Sequence, residues 1–161
     1  MIKSGIEGID QYCSDILSGE NPSCIYIKQA VKRFQNDLKK SKGDDYPYYF
    51  EPKAAEHFID FVENNLTHFQ GQFAGKPFIL EPWQKFLAGQ IFGWLKKGDR
   101  ENGIPIRRFQ RANVFIAKKN GKSITAAAMA LYFTIHEGHG VEVYGFAMSR
   151  SHAKRLSWNT A

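Results

Sequence analysis

A glycine, a lysine and a serine stand together at Gly121-Lys122-Ser123, between a predicted strand and a predicted helix. A phosphate-binding loop belongs at such a place, because the start of a helix leaves backbone N–H groups unpaired and carries partial positive charge. Gly121 lets the backbone approach a phosphate, Lys122 can reach the β- and γ-phosphates, and the Ser123 hydroxyl can bind Mg²⁺. The full signature has another glycine where this sequence has Ile116. The alternative is a basic turn whose glycine only permits the bend.

The elements that must position this loop follow a strand–helix–strand pattern. The pattern predicts a strand over 112–117, an alanine-rich helix over 124–135 and a second strand over 141–147, with another helix starting near residue 149 or 151. Two strands joined by a helix imply a parallel sheet. We therefore expect the α/β class, with a partial parallel sheet.

The residues before this pattern are predicted to be mainly helical. Apolar spacing of three and four predicts helices over about 22–40, 52–66 and 82–95, and the last two begin at a proline. Residues 98–108 are predicted to form a polar, basic connection. We divide the chain into a variable helical region over 1–70 and the start of the α/β domain over 71–161.

Length and composition exclude several classes of protein. The 161 residues are 43% hydrophobic and 24% charged, which is typical of one globular domain and not of a disordered, collagenous or coiled-coil chain. No apolar run approaches the roughly 18 residues of a membrane helix, and the first residues lack a signal peptide, so we expect a soluble intracellular protein. Cys13 and Cys24 form no metal-binding pair and are expected to be free thiols.

The positive charge is concentrated in the second part of the chain. Residues 1–95 hold ten basic and twelve acidic side chains, whereas the remaining residues hold twelve basic and four acidic ones. A basic segment suits phosphate groups or nucleic acid. The candidates for contact with a nucleic-acid backbone, chosen by charge alone, are Arg100, Arg107, Arg108 and Arg111. The alternative is that they form a solvated rim.

The loop and a second block resemble one family. The segment Ala117-Lys118-Lys119-Asn120-Gly121-Lys122-Ser123 resembles the deviant Walker A motif of phage terminase large subunits, the motors that pump DNA into empty procapsids. In that family the first glycine is commonly replaced. Residues 75–86, GKPFILEPWQKF, are similar to the segment upstream of the family's ATPase core, and residues 91–94 continue it. The similarity covers about residues 46–161.

The resemblance implies a P-loop ATPase domain of the RecA-like, ASCE type that uses ATP and Mg²⁺. It implies these nucleotide-binding residues: Gln84, Ala117, Lys118, Lys119, Asn120, Gly121, Lys122 and Ser123. Lys122, Ser123 and Lys118 would serve catalysis, Ser123 would also bind Mg²⁺, and Gln84 would recognise adenine through its amide. Lys118 stands where the family commonly has arginine, so the charge is kept but the bidentate fork is lost.

Two parts of the family pattern are missing from this sequence. A Walker B element is an apolar strand ending in acidic residues that bind Mg²⁺ and orient the attacking water. The only acidic residues after Ser123 are Glu137 and Glu142, and neither ends an apolar strand. The carboxylate cluster of a two-metal nuclease is also missing. We therefore expect a fragment truncated before Walker B, and one that is inactive on its own.

The resemblance also implies partners. They are double-stranded viral DNA, the capsid portal protein, the small terminase subunit and further copies of the chain in a ring, in the cytoplasm of a bacterial host and without a membrane. Two alternatives stay open. One is a non-enzymatic prophage remnant with at most weak nucleotide binding, and the other is a different P-loop DNA-processing ATPase, such as a helicase. The Pro82-Trp83-Gln84 block argues against the second.

Overall fold

A computed structural model gives the fold of the chain and describes residues 5–68, 71–101, 103–137, 140–146 and 148–149. These residues form two compact units: the residues up to Asp60 with Leu80–Ala112, and Phe61–Ile79 with the residues from Asn113 onward. In chain order the elements are α1 (Gly5–Ser18), α2 (Ile25–Lys40), β1 (Tyr48–Phe50), α3 (Pro52–Asn65), a 3₁₀ turn (Gly71–Phe73), α4 (Pro82–Gly93), β2 (Trp94–Glu101), β3 (Ile104–Arg107) and α5 (Lys122–His136).

The helices expected from apolar spacing are confirmed as α2, α3, α4 and α5, whereas α1 was not predicted. Helix α4 begins at Pro82 behind a capping box, in which Glu81 and Gln84 exchange side-chain and backbone hydrogen bonds. It ends at Gly93, before the predicted end, because Trp94 adopts an extended conformation (ψ 116°) and starts β2. None of the helices in the described residues is long and apolar enough to cross a membrane.

The expected parallel sheet is not confirmed. The sheet in the described residues is antiparallel, with the strand order β1-β2-β3 and the pairs Phe50↔Trp94 and Leu95↔Arg107. Residues 112–117 and 141–146, predicted as parallel strands, are irregular. A strand exists only with a neighbour that satisfies its backbone groups, and no described residue pairs with either segment. The α/β class holds, but the arrangement of the strands differs.

Residues 98–108, predicted as a polar connection, are mostly a β-hairpin instead. Strand β2 turns back into β3 with the pair Glu101↔Ile104. Gly103 has a positive φ of 81°, and Arg100 Nη1 donates a hydrogen bond to its carbonyl oxygen at 3.0 Å. The signal in the sequence is Asn102-Gly103, a dipeptide typical of tight hairpin turns, although the flanking charges hide it.

An aromatic core joins the elements of the first unit. The ring of Phe34 on α2 meets Phe50, Phe86 and Trp94 edge-on, with centroid distances of 5.3, 5.6 and 6.1 Å. Helix α1 packs closely on α4 at Gly89. A Cβ at this position would lie only 2.8 Å from Ile9 Cδ1, so a larger residue would not fit without a shift. Edge-to-face rings add about 0.5–1.5 kcal/mol per pair beyond the burial of their surface.

A buried ion pair lies beside this core. Arg108 Nη1 is 2.8 Å from Asp37 Oδ2, although it has no partner with hydrogen-bond geometry, so the contact is an ion pair. The guanidinium also faces the rings of Tyr48 and Trp94, with its carbon 5.0 and 5.1 Å from their centroids. Burial and a hydrogen bond to Asp37 raise the pKa of Tyr46. This cluster fixes the end of β3 to α2 within the first unit.

The second unit contains α5 and a small aromatic group. Phe61 meets the rings of Tyr132 and His136 at 5.5 and 5.1 Å. The segments on either side of α5 expose large apolar side chains, since Phe115 is 95% exposed and Phe146 is 93% exposed.

The two cysteines should differ in reactivity. Both are free thiols; Cys13 is buried in α1 and Cys24 is exposed. Burial, with a smaller effect of Asp10, raises the pKa of Cys13 from 9.0 to about 12. The folded state therefore favours the protonated thiol, a stabilisation present below pH 9.0 and lost as the pH rises toward 12. At pH 8, we expect a thiol reagent to label one cysteine in the native chain and both in urea. Cys24→Ser should abolish native labelling, and rapid labelling of that variant would contradict the buried position of Cys13.

Removal of Arg108 should destabilise the first unit. Arg108→Leu leaves the Asp37 carboxylate buried without its cation, which costs about 3 kcal/mol. Urea denaturation should show this loss, and the double variant Asp37→Leu/Arg108→Leu should recover part of it. The control Arg111→Leu removes an exposed arginine and should change stability by less than about 0.5 kcal/mol. Equal effects of the two single variants would contradict the role of the ion pair.

Candidate functional site

The loop before α5 has an unusual backbone conformation. Lys119 and Gly121 have positive φ angles of 66° and 70°, and the residues between and beside them do not. Gly121 is the N-cap of α5 and carries no side chain over the helix start. Alternation between the two signs of φ turns successive N–H groups toward one side, which makes a concavity that binds anions. The alternating signs of φ in this loop are therefore compatible with an anion-binding backbone.

The lysine of the loop folds back onto the chain. Lys122 Nζ donates a hydrogen bond of 2.9 Å to the carbonyl oxygen of Ile116. Residue 116 is where the regular signature has its first glycine. A backbone carbonyl accepts this bond whatever the side chain is, so Ile116 can serve here in place of glycine. The bond joins the two ends of the segment 116–122.

A buried threonine fixes the first turn of the helix, and the sequence analysis did not identify it. Thr125 is buried, and both its hydroxyl and its backbone N–H donate to the carbonyl oxygen of Gly121, at 2.9 and 3.0 Å. The hydroxyl bond gives the Gly121 carbonyl oxygen a second donor at the start of α5. Its position four residues after the glycine was the available signal, since threonine bonds back over one helical turn.

The side chains of the loop are accessible and basic. Ala117, Lys118, Lys119, Asn120 and Lys122 are exposed, while Gly121 and Ser123 are half-buried. In the part of the chain that the structure describes, no ion pair joins the three lysines to a carboxylate. The loop therefore leaves the side chains of three lysines accessible to solvent, next in sequence to a half-buried serine.

Gln84 lies in the first unit and is only 2% exposed. Its Oε1 atom accepts a hydrogen bond of 2.6 Å from the Glu81 N–H in the capping box of α4. Gln84 therefore orders the start of α4, a role that sequence reasoning missed although the Glu-x-x-Gln spacing signals it. Its assignment to adenine stays a prediction.

Two acidic residues, Glu137 and Glu142, follow the loop in the sequence. The Glu142 carboxylate accepts a hydrogen bond from the Tyr144 hydroxyl, and this bond raises the pKa of Tyr144. Among the described residues, no group of three or more His, Cys, Asp or Glu side chains is placed to hold a metal ion. Ser123 is the oxygen donor in the loop that a nucleotide-bound Mg²⁺ could use. Its remaining ligands would be phosphate oxygens and water, as is common for this ion.

The candidate nucleic-acid contacts do not form one group. Arg108 is committed to Asp37 and its aromatic neighbours, so it is a structural residue and the prediction for it is wrong. The Arg107 guanidinium carbon lies 5.3 Å from the centroid of Phe92. Arg100 stabilises the hairpin turn, and Arg111 is exposed.

One comparison with known proteins identifies this region. Residues 82–156, just under half of the chain, match the family model of the terminase large subunit, ATPase domain. No curated protein and no solved structure matches the chain. The match includes α4, the β-hairpin and the loop before α5. This match supports the resemblance seen in the sequence, because residues 82–156 are similar to part of the terminase large subunit ATPase domain.

The backbone conformation of the loop gives a prediction. Gly121→Ala forces a Cβ into the left-handed region, which costs about 1–2 kcal/mol. We expect a lower melting temperature and faster amide hydrogen exchange in the first turn of α5. Lys119→Gly places a permissive residue at the other positive φ and should leave that exchange unchanged or slower. Slower exchange in Gly121→Ala than in the parent chain would contradict the described loop.

Proposed function

We propose that this chain supplies the phosphate-binding part of an ATP-driven motor that packages viral double-stranded DNA into procapsids. The observation that carries the proposal is the loop Ile116–Lys122, closed by the lysine ammonium at the start of α5 and lying inside the segment that matches the terminase ATPase family. The family match supports ATPase activity in general. The loop supplies the chemistry that such an activity needs at the triphosphate.

The loop residues would share the binding of the triphosphate. The N–H groups at the start of α5 point at the phosphate oxygens, and Gly121 keeps the approach open. Lys122 exchanges the Ile116 carbonyl for the β- and γ-phosphate oxygens. That exchange is favourable, because the phosphate oxygens carry net negative charge that attracts the ammonium group, whereas the carbonyl oxygen offers only a dipole.

The neighbouring residues would add charge and hold the metal. Lys118 and Lys119 are exposed and unpaired by carboxylates in the described residues, so they raise the local positive potential. The Ser123 hydroxyl would bind Mg²⁺, which neutralises phosphate charge when it is bound. The amide oxygen of Gln84 accepts a hydrogen bond from the Glu81 N–H. To recognise adenine, it would have to give up this bond and bind the edge of the base instead.

Hydrolysis needs a carboxylate that orients the attacking water, and the acidic residues that follow the loop in the sequence are Glu137 and Glu142. Glu142 is engaged by Tyr144, and Glu137 directly follows α5. We propose that the 161-residue chain binds ATP without turning it over. In a full-length subunit, residues 112–117 and 141–146 would become strands of a RecA-like parallel sheet. The exposure of Phe115 and Phe146 supports this, because burial in a sheet would remove both rings from water.

The proposed partners follow from the family. They are double-stranded DNA, the portal protein, the small terminase subunit and further copies of the chain in a ring, within the host cytoplasm. Contacts with DNA would be to the phosphate backbone and independent of sequence, because a packaging motor must move over any sequence.

The central test removes the ammonium group from the loop. Lys122→Ala should weaken the binding of ATP·Mg²⁺ by at least tenfold, because both the charge and the β/γ-phosphate contact are lost. Calorimetric titration measures the affinity, and circular dichroism shows that the fold is kept. In a full-length subunit the same change should abolish packaging.

The matched control is Lys53→Ala, which removes an exposed lysine from the start of α3. It should leave the affinity for ATP unchanged. If Lys122→Ala also binds ATP as the parent chain does, the loop is not a nucleotide site and the proposed function is wrong. A parent chain that folds but shows no affinity for ATP would favour the remnant.

A further inference from the structure

Helix α2 gathers basic side chains on one surface. Five of the ten basic residues before position 96 lie on it, but only one of the twelve acidic residues does. Lys32, Arg33, Lys39 and Lys40 are exposed, and Lys28 is half-buried. Asp37, the single acid, is buried against Arg108. We call the five basic residues of α2 the basic face.

On a solvent-exposed helix, basic residues are usually offset by acidic residues three or four positions away. The acidic residue of α2 is Asp37, which is buried. Lys28 and Lys32 are four residues apart, so their like charges repel each other, at a cost of a few tenths of a kcal/mol. No ion pair joins the four lysines to a carboxylate within the described ranges. Arg33 lies over the ring of Phe109, with 5.3 Å between its guanidinium carbon and the ring centroid. The arrangement disfavours the isolated helix and suits an anionic partner.

Packing fixes which way this face points. Val31, Phe34 and Asp37 recur at a spacing of three and are the buried residues of α2. Since one side of the helix is held in the core of the first unit, the basic side must face solvent. An amphipathic helix that binds a membrane inserts its apolar side, but here Val31 and Phe34 on that side are buried inside the protein, and the large apolar residues that α2 exposes are confined to its start, Ile25–Ile27. The chemistry of the face therefore favours a polyanion in solution over a lipid surface.

We propose that the basic face of α2 binds the phosphate backbone of double-stranded DNA. From Lys28 to Lys39 the helix extends about 16 Å at 1.5 Å per residue. A strand of duplex DNA presents a phosphate about every 3.4 Å along its axis, so the face can meet several phosphates at once. The contact lies outside the nucleotide loop. That the partner is a duplex rests on the proposed function, whereas the polyanion is indicated by the charges themselves.

The test compares two double variants of the full 161-residue chain. Lys32→Gln/Lys39→Gln removes two charges from the basic face, and Lys53→Gln/Lys76→Gln removes two exposed charges from elsewhere. Binding to a fluorescent 30-base-pair duplex of arbitrary sequence is measured by anisotropy between 50 and 200 mM salt. Loss of two phosphate contacts lowers the slope of log K against log salt by about 2.

We expect the first variant to show that lower slope and an affinity reduced about tenfold, and the control to match the parent chain. Equal losses in both variants would overturn the proposal, because they would report net charge only. Binding to polyglutamate or to phosphatidylserine vesicles that matches the affinity for DNA would also overturn it. Lys122→Ala should keep DNA binding while losing ATP. Failure of the nucleotide site and failure of the DNA surface are therefore distinguishable.

Discussion

The ring of Phe34 is the point where four elements of the first unit meet. Its edge-on contacts with Phe50, Phe86 and Trp94 connect α2 to β1, α4 and β2. Rotation of α2 by one residue, about 100°, would remove this ring from the core and expose it to water. The same rotation would move Asp37 away from Arg108. The orientation of α2, and so the direction of its lysines, depends on one aromatic contact and one buried charge pair.

The nucleotide loop depends on backbone geometry more than on any single side chain. Gly121 and Lys119 provide the positive φ angles, and Thr125 holds the first turn of α5 through the Gly121 carbonyl. Lys122 closes the loop on a carbonyl that any residue at position 116 would offer. This explains how the loop can form without the first glycine of the regular signature. In the proposed function, a negatively charged phosphate oxygen would replace this carbonyl as the acceptor for the lysine.

Helices are predicted well from this sequence, because apolar residues spaced three and four apart mark the side of the helix that is buried. Helix α3 starts at Pro52 as expected, and the loop was placed correctly before α5. Strands were harder to predict, since a strand depends on residues that are distant in the chain. Residues 112–117 have the composition of a strand but no partner among the described residues. The charged hairpin at 94–107 has partners although its composition suggested a connection. The sequence analysis assigns Gln84 to chemistry, whereas the three-residue spacing of Glu81 and Gln84 is the signal for its place in a capping box.

The net charge of a sequence segment does not show which charged side chains the folded protein exposes. The first 95 residues carry a small excess of acid, yet the fold sorts their charges by element, so that every exposed charged side chain of α2 is a cation. The reverse holds for Arg108, which contributes to the basic excess of the second part but is used inside the protein to neutralise Asp37. A polyanion interacts with the charges that water reaches, at a range of about 10 Å in moderate salt. The basic surface of α2 is therefore set by the packing of Phe34, which turns the lysines outward, and not by net charge.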